Sequence, residues 1–524
     1  MPQLPQVDVP TLLSVVYAPL QPIVKRINIR RRGSRRHAPE DIGLPGGYAA
    51  ELVAGGFTAP VHVSFDPDGN AYVTESGHKS ESPPRVFRVD TSTGECHLVV
   101  DLSDRWTPTG AATGAVWHDG GLIVTNTDTV LRVELDGTVR ELVTGLPGLG
   151  DHQTNHPVIG PDGRVYWGQG CVTNMGVVGA DNFGYEWLAT FPDHHDVPGG
   201  EIELAGRNFD VPDVLGNPLS TVTSGAYAPY GTSTQPGQVI AGSTKASGAI
   251  LSAEPDGSDL RVVAWGLRNP YGIAFAPDGR LFATEHGSDE RGARWIVGDP
   301  DDLYEIREGA WYGWPDFASG IRLDDPHWGD GGTGREPVLA RFPDPDPPKP
   351  LASFESHAAA NGIAIAAGGG FGFDGQAFVT LFGDLAPVTT PRQVVPAGFK
   401  VVRVDLTTGA IHDFAVNRVQ GPASKLFHGG FERPSHCAFG PDGALYVVDF
   451  GEIKIAPEKG GIRMKQGTGA LWRIRRVADA TGQLPPPAKQ VPFYPIQAGA
   501  VVALLGAGIA TVVLLLRRLL GRRR

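Results

Sequence analysis

The sequence contains very few cysteines. Its 524 residues include three, Cys96, Cys171 and Cys437, which show neither close pairing nor the spacing of metal ligands. This excludes a framework of disulfides and leaves room for one disulfide at most. The Cys-x-x-Cys-His motif is also absent, so the chain carries no covalently attached c-type haem of its own.

Charged residues are few as well, at 19% of the chain, whereas glycine and proline are abundant, with 71 and 45 residues. Glycine and proline cost about 1 and about 3 kcal/mol in a helix interior, which excludes a mainly helical protein. No three-residue glycine period occurs, which excludes collagen. Ten Trp, 22 Phe and 12 Tyr can build a large core, which argues against disorder. The composition therefore predicts a turn-rich, all-β protein.

The charge is unevenly distributed. The formal net charge is −12, yet basic residues concentrate in residues 25–36 and in the last eight residues. The body between them is strongly acidic, so it should repel nucleic acid, and no nucleic-acid partner is expected. We interpret residues 1–44 as a basic N-terminal arm that is solvated or lies on a membrane surface. A partner-binding site is the alternative interpretation of this arm.

The C-terminal region contains the one long apolar run. Residues 498–516 are uncharged and Arg517-Arg518 follows at once, which predicts a transmembrane helix over 497–517 with a basic tail at 518–524. A buried core helix is the alternative. The positive-inside rule places the tail in the cytoplasm and the body outside it, on a single-pass anchor in the cell membrane. No secretory signal is recognisable at the N-terminus, so a cytosolic, tail-anchored protein remains the other placement.

A repeated unit dominates residues 45–480: an apolar strand, an Asp-Gly or similar turn, and a second apolar strand. Such turns between apolar runs are a strong hairpin signal. Six four-stranded sheets packed radially would bury their faces, which predicts a six-bladed β-propeller. The strand at 48–55 should close the ring in the last blade, and the Pro-rich stretch 481–496 should be a stiff linker. The copies are VSFDPDGNAYVTESG (63–77), AVWHDGGLIVTNT (115–127), VIGPDGRVYWGQG (158–170), IAFAPDGRLFATEHG (273–287), FGFDGQAFVTLFG (371–383) and CAFGPDGALYVVDFG (437–451).

Three polar segments stand at corresponding places beside these repeats. Each segment alone could be an ordinary hydrogen-bonded turn. Because equivalent loops of a propeller open on one mouth, we expect the three to converge there. The long insertions at 171–245, 288–300 and 310–360 should lie on the rim beside them. The segments are GDHQTNHP with His152, GLRNP with Arg268 and Asn269, and TEHGSDERG followed by GDPDDLYEI with Asp301.

These segments resemble the glucose/sorbosone dehydrogenase family. The runs GDHQTNHPVIGPDGRVY, GLRNPYGIAFAPDGRLFATEHG and LYEIREGAWYGWPDF are similar to it in order and spacing, and the likeness covers most of residues 45–476. Members of that family are six-bladed propellers that use pyrroloquinoline quinone (PQQ) and Ca²⁺. The resemblance therefore implies a PQQ-dependent dehydrogenase that oxidises a sugar or alcohol hydroxyl.

The resemblance also implies roles for individual residues. His152 matches the catalytic base, and Asp301 falls near an active-site acid. Arg268 and Asn269 match the pair that holds the quinone, with Arg268 also stabilising charge during catalysis. The remaining matches are Gly287 and Ser288, whose carbonyl groups would bind calcium, and Arg433, which would bind a cofactor carboxylate.

The residue types suit this chemistry. A neutral imidazole can take the hydroxyl proton, the quinone is the hydride acceptor, and calcium takes oxygen ligands and acts as a Lewis acid. An arginine can hold the negative charge that develops. A membrane anchor suits an enzyme that passes electrons to a separate membrane quinone or cytochrome.

The sequence departs from the family pattern at several basic and polar positions. Thr109 replaces a sugar-contacting glutamine, and one arginine (Arg433) stands where two are expected. A lysine of the family is missing, and Arg392 and Lys400 could substitute for it. His357 and Asn361 could add contacts, or form an ordinary turn. Two alternatives stay open: a non-catalytic propeller that binds protein or glycan, and a calcium-dependent hydrolase such as a lactonase. The hydrolase would need several carboxylates converging on calcium at the axis.

Overall fold

The structure, a computed structural model, describes residues 35–105, 110–385, 396–426, 428–456 and 461–478, together with residues 485, 486 and 488. Within these ranges the chain is all-β, as predicted. The one described α-helix is Ala180–Gly184, and short 3-10 turns occupy Pro39–Asp41, Ser103–Arg105 and Pro326–Trp328.

None of the helices in the described ranges has the length and apolar character needed to cross a membrane. The predicted transmembrane segment 498–516, most of the linker 481–496 and residues 1–34 lie outside the described residues.

Six antiparallel sheets of four or five strands make up the body, and each extends from an inner strand outward. Sheet 1 comprises Pro60–Phe65, Ala71–Glu75, Arg85–Val89 and Cys96–Asp101. Sheet 2 comprises Ala112–His118, Gly121–Asn126, Thr129–Glu134 and Val139–Val143. Sheet 3 comprises Thr154–Ile159, Val165–Gln169, Ala249–Ala253 and Arg261–Trp265.

The other three sheets follow the same pattern, inner strand first. Sheet 4 comprises Pro270–Phe275, Leu281–Glu285, Asp302–Ile306 and Ala352–Ser353. Sheet 5 comprises Ala360–Ile365, Gln376–Leu381, Lys400–Asp405, Ile411–Asn417 and the short strand Ile42–Gly43. Sheet 6 comprises Pro434–Phe439, Leu445–Asp449, Gly469–Arg476 and Tyr48–Phe57.

The inner strands form a closed cycle. Each contacts the inner strand of the next sheet, and the inner strand of sheet 6 contacts that of sheet 1. The sheets therefore surround a common centre in a propeller-like arrangement. The N-terminal strand Tyr48–Phe57 is the outer strand of the last sheet, where it pairs with Gly469–Arg476, as the sequence predicts.

The Asp-Gly hairpins form for local reasons. Gly163 and Gly443 have φ of 82° and 74°, a left-handed conformation that glycine adopts without a steric penalty. In the same turns, Asp162 and Asp442 accept hydrogen bonds from Tyr166 and from Tyr446 at 2.8 and 3.0 Å. The turn and the strand that follows are thus fixed together.

The long insertions of sheets 3 and 4 pack against each other. They share an apolar cluster that includes Trp311, Trp314 and Phe317, and a buried ion pair joins Arg294 to Asp316 at 2.6 Å. Four smaller sheets occur outside the ring sheets in the described part of the chain, and the first three belong to these insertions. The small sheets are Ile202–Ala205 with Pro236–Ile240 and Leu339–Arg341, Asn208–Pro212 with Thr221–Gly225, Phe317–Ala318 with Ile321–Arg322, and Ile453–Ala456 with Gly461–Met464.

Two sequence interpretations differ from the structure. The hairpin expected at 371–383 has its first strand at Ala360–Ile365 instead, because the glycine-rich residues 366–375 form the connecting loop. Arg35, expected to be solvated in the basic arm, is buried and pairs with Asp449 at 2.5 Å. A carboxylate at the end of a buried strand of sheet 6 supplies the partner that this arginine needs.

Candidate active site

The predicted site residues stand at the starts of inner strands. Asn269 and Arg433 directly precede the inner strands of sheets 4 and 6, and His152 lies two residues before that of sheet 3. Residues near the starts of opposite inner strands meet at the centre, since the rings of His156 and His436 are 4.8 Å apart. The loops that precede these strands therefore open on one end of the ring, which we call the mouth.

A buried carboxylate shapes the Arg268-Asn269 turn. The backbone N–H groups of both residues donate to Glu285 Oε1, the one from Asn269 at 3.0 Å. Sheet 6 has the same kind of hydrogen bond, because the backbone N–H of Arg433 donates to the carboxylate of Asp449 at 2.8 Å. Burial raises the pKa of Glu285 to about 8, so this acid is neutral at pH 7 and serves the backbone of the turn.

His152 is held in one tautomer. Its Nδ1 lies 2.7 Å from the carbonyl oxygen of Cys171; because a carbonyl only accepts, Nδ1 carries the proton and Nε2 keeps its lone pair. Burial, followed by the charge of Arg268, lowers the pKa of His152 well below 6.5, so the ring is neutral. Gly170 separates His152 from Asn269, and a Cβ there would lie 2.3 Å from the Cβ of His152 and 2.6 Å from the Oδ1 of Asn269.

Arg268 is bound mainly by neutral groups. The residue is 5% exposed, and its guanidinium donates to the Oδ1 and the carbonyl oxygen of Asn174 at 2.8 and 3.1 Å. The carboxylate of Asp289 is farther away, at 3.7 Å. Because a neutral amide offsets little charge, the positive potential of Arg268 remains available to an anion at the mouth.

Asn269 is oriented by a chain of polar side chains. Its Nδ2 lies 2.9 Å from His286 Nδ1, and His286 Nε2 lies 2.9 Å from Asn361 Oδ1. Since an amide oxygen only accepts, His286 donates from Nε2 and accepts at Nδ1. Tyr271 stacks on the His286 ring with centroids 5.1 Å apart. Asn361, named from its sequence segment, therefore acts on the site through His286.

The Gly287-Ser288 turn is anchored by two buried acids. The N–H of Gly287 donates to Asp301 at 2.9 Å, and the N–H of Ser288 donates to Asp299 at 2.6 Å. Burial raises the pKa of Asp301, and it raises the pKa of Asp299 to about 6. The carbonyl oxygens of Gly287 and Ser288 accept no hydrogen bond from any residue that the structure describes. Carbonyl oxygens beside carboxylates are a donor set that fits a hard cation such as Ca²⁺.

Sequence reasoning missed two residues. Arg291 forms ion pairs with Asp151, Asp181 and Asp289 at 2.8, 2.6 and 3.0 Å, and Asn174 accepts from Arg268. Arg291 lies in the segment TEHGSDERG, two residues from its partner Asp289, but its other partners, Asp151 and Asp181, lie far away along the chain. Asn174 lies inside an insertion whose fold carries no repeat signal, and no motif marks it.

Arg433 and Lys400 stand apart from this network. Arg433 donates to the carbonyl oxygen of Gly383 at 2.6 Å and lies 5.0 and 4.9 Å from the rings of Phe382 and Phe399. Lys400 pairs with Glu355 and Asp413. Thr109 and Arg392 fall outside the described residues. The structure thus brings together His152, Arg268, Asn269, Gly287, Ser288 and Asp301, and leaves Arg433 at the same end of the ring.

The carboxylate cluster that a calcium-dependent hydrolase would need is not found among the described residues. One group of three potential metal ligands converges there, and it consists of histidines, His62, His156 and His436.

Comparison with known proteins agrees with the sequence resemblance. The sequence profile of the family described as Glucose / Sorbosone dehydrogenase matches residues 234–449. Quinoprotein glucose dehydrogenase B of Acinetobacter calcoaceticus is 27% identical over 180 residues, which are 34% of this chain and 29% of the relative. The match thus spans less than a third of that relative's length.

Two solved structures share the fold. The holo PQQ domain of pyranose dehydrogenase from Coprinopsis cinerea is 17% identical, with a TM-score of 0.52 over 85% of this chain and 98% of that one. A Trichoderma reesei protein of carbohydrate-active enzymes family AA12 is 15% identical, with a TM-score of 0.53 over 85% and 100%. At these identities the likeness concerns the fold. The profile match and the quinoprotein relative show that this chain is similar to the glucose/sorbosone dehydrogenase family in part of its length.

Proposed function

We propose that the chain is a PQQ-dependent dehydrogenase that oxidises a sugar or alcohol hydroxyl, built on a β-propeller whose six blades are the six sheets. The observation that carries the proposal is the contact of His152 Nδ1 with the Cys171 carbonyl, which leaves the lone pair on Nε2. Burial, followed by the charge of Arg268, lowers the pKa of this ring, which favours its neutral form. A relative named as a quinoprotein supports the choice of cofactor.

His152 acts as the general base. Oxidation of a hydroxyl requires removal of the O–H proton, and Nε2 has the free lone pair that can take it. The Cys171 carbonyl then stabilises the imidazolium, because the N–H that it holds becomes more acidic when the ring is charged. When bound, PQQ would supply the acceptor for the hydride and calcium would supply a Lewis acid.

Arg268 and Asn269 bind the quinone and orient it. A guanidinium held by neutral groups attracts a carboxylate or a developing oxyanion, and PQQ carries three carboxylates. The His286–Asn361 pair keeps the Asn269 amide in place. Arg433, at the same end of the ring, would bind a second carboxylate, and the carbonyl groups of Gly287 and Ser288 would hold calcium.

The electron acceptor in this proposal is a separate membrane quinone or cytochrome, since the chain has no haem motif. The predicted anchor at 497–517 would keep the enzyme beside such an acceptor, with the propeller outside the cytoplasm. Protease added to intact cells should then remove the propeller.

The deciding experiment measures cofactor binding and turnover separately. The purified full chain is titrated with PQQ in the presence of Ca²⁺, and dye reduction is followed with a panel of aldoses and alcohols. The wild type should bind PQQ and reduce the dye with some of these substrates. His152→Ala should still bind PQQ but lose roughly 100-fold or more of kcat, the usual contribution of a general base.

His97→Ala is the matched control, because His97 is exposed on the outer strand of sheet 1, and its activity should equal that of the wild type. A wild-type chain that does not bind PQQ would rule out the dehydrogenase and leave the binding-module alternative. Equal turnover by His152→Ala would remove His152 from the role of base.

A further inference from the structure

The third residue of every inner strand reaches the centre of the ring. Histidine occupies this position in three sheets and glycine in the other three. In ring order from sheet 1 to sheet 6, the residues are His62, Gly114, His156, Gly272, Gly362 and His436.

The three histidines form one compact cluster. Their ring centroids are 4.0 to 4.9 Å apart, and their ligand nitrogens all lie within 4.8 Å of one another. His62, His156 and His436 are 2%, 1% and 6% exposed. Three imidazoles from sheets 1, 3 and 6 thus share a site that is closed to bulk solvent.

Three of their six ring nitrogens have no hydrogen-bond partner among the described residues. Neither nitrogen of His156 has a hydrogen-bond partner among the described residues, and the Nδ1 of His62 has none. His436 Nδ1 accepts from the N–H of Val63 at 3.3 Å. Buried polar atoms are normally satisfied, so such a cluster indicates a ligand. Burial lowers the pKa of His62 to about 3 and the pKa values of His156 and His436 well below 6.5, which keeps the rings in the neutral form that metal ions require.

The glycines provide the room that the rings occupy. A Cβ on Gly114 would lie 3.0 Å from the His62 ring, and a Cβ on Gly362 would lie 2.9 Å from the His436 ring. A larger residue at either position would push a histidine out of the cluster. Glycine at these positions therefore leaves the space in which the three rings meet.

We propose that His62, His156 and His436 bind one late first-row divalent metal ion, such as Zn²⁺, at the centre of the ring. Imidazole nitrogens suit Zn²⁺, Cu²⁺ and Ni²⁺, whereas Ca²⁺ takes oxygen ligands. This site is therefore chemically distinct from the carbonyl site at Gly287 and Ser288. Three protein ligands leave a fourth position for water.

Binding requires a small change in the rings. Zn–N bonds of about 2.0–2.1 Å in a tetrahedral site bring the nitrogens to roughly 3.4 Å from each other, closer than the 4.8 Å limit of the present cluster. His62 and His436 are stacked at an interplanar angle of 30°, so these two rings would turn to aim their lone pairs at one ion. The ion would then tie sheets 1, 3 and 6 together.

The cluster lies directly behind the candidate active site. Tyr271 makes an edge contact with His156, with centroids 4.6 Å apart, while it stacks on His286. His286 in turn orients Asn269. A bound ion would therefore brace the inner wall of the mouth without contacting the substrate.

The test uses the metal alone. The purified full chain is stripped with a chelator, returned to excess Ca²⁺, and titrated with Zn²⁺ by calorimetry and with Co²⁺ by visible absorption. We expect one ion per chain, a tetrahedral Co²⁺ spectrum and a higher Tm with Zn²⁺. His156→Gln should weaken binding at least 100-fold, and the exposed-site control His97→Ala should bind as the wild type does.

A wild-type chain that takes up no stoichiometric Zn²⁺ or Co²⁺, or a His156→Gln chain that binds them equally well, would overturn the proposal. Should His156→Gln fail to fold, the Co²⁺ titration of the wild type decides alone. None of these readouts needs PQQ or turnover, so the metal site can fail or succeed independently of the proposed function.

Discussion

At the scale of single residues, the chemistry depends on what surrounds His152. A carbonyl oxygen fixes its proton on Nδ1, burial keeps the ring neutral, and Gly170 leaves the space that the ring needs between Cys171 and Asn269. None of these neighbours is chemically reactive. They decide which nitrogen is basic and where it lies, which is what a general base requires.

The low pKa of His152 predicts the pH profile of the enzyme. The ring acts as a base only when neutral, and a pKa well below 6.5 keeps it neutral through pH 6. We expect kcat/KM to stay constant between pH 7 and pH 6 and to fall only at more acidic pH, measured by dye reduction with saturating PQQ. An acidic limb centred at or above pH 6.5 would contradict the assignment.

Gly170→Ala should impair turnover through His152. The new Cβ would lie 2.3 Å from the Cβ of His152, so the imidazole must move, and a displacement of about 1 Å can cost up to roughly 100-fold in rate. We expect kcat to fall at least tenfold. Gly370→Ala is the control, because no atom lies within 4 Å of its added Cβ; equal rates for the two variants would show that His152 tolerates the shift.

At the scale of elements, sequence signals were reliable where they were local. The Asp-Gly turns predicted five of the six inner hairpins, because each turn is stabilised within a few residues. The hairpin at 371–383 was misplaced because a glycine-rich loop separates its strands. At the site, the predicted His152, Arg268, Asn269 and Gly287 lie together near repeat turns. Arg291 and Asn174 were missed because their contacts join segments far apart in sequence.

One buried arginine of the N-terminal segment, Arg35, contacts sheet 6 and stabilises it. Arg35 donates to Asp449 and to the carbonyl oxygens of Gly430 and Thr468. Burial alone would raise the pKa of Asp449, but the charge of Arg35 and its hydrogen bond lower this pKa below its usual value. Arg35→Ala would leave this carboxylate buried and unpaired. We expect a loss of about 3–5 kcal/mol in the free energy of unfolding, measured by denaturant titration.

Arg36→Ala is the matched control for Arg35→Ala. Arg36 is exposed, and its ion pair with Glu40 lies in solvent, where such pairs contribute little. The two substitutions should therefore lower the free energy of unfolding by very different amounts. A similarly small loss for both would show that the Arg35–Asp449 pair does not stabilise sheet 6.

At the scale of the whole molecule, the ring and the predicted anchor serve different purposes. The six sheets bring loops from distant parts of the sequence to one mouth. This mouth is part of the acidic body. The apolar run 498–516 and its arginines would only decide where the molecule resides. The two parts can therefore be tested separately.

Removing residues 497–524 should release the protein from membranes with its activity intact. A variant of unchanged length, Leu504→Arg with Ile509→Arg, should behave in the same way, because each arginine costs about 2.5–3.5 kcal/mol near the centre of a membrane helix. Fractionation of cells followed by immunoblotting measures the distribution. Continued sedimentation of both variants with the membrane would show that 498–516 is not the anchor.

The pairing of Tyr48–Phe57 with Gly469–Arg476 also sets an order of events during biosynthesis. The first of these strands leaves the ribosome early and has no partner until nearly the whole chain has been made. Until then its edge-pairing groups and those of the neighbouring sheets are open to wrong partners. Folding of the ring therefore cannot end before Gly469–Arg476 has been made and lies beside the first strand.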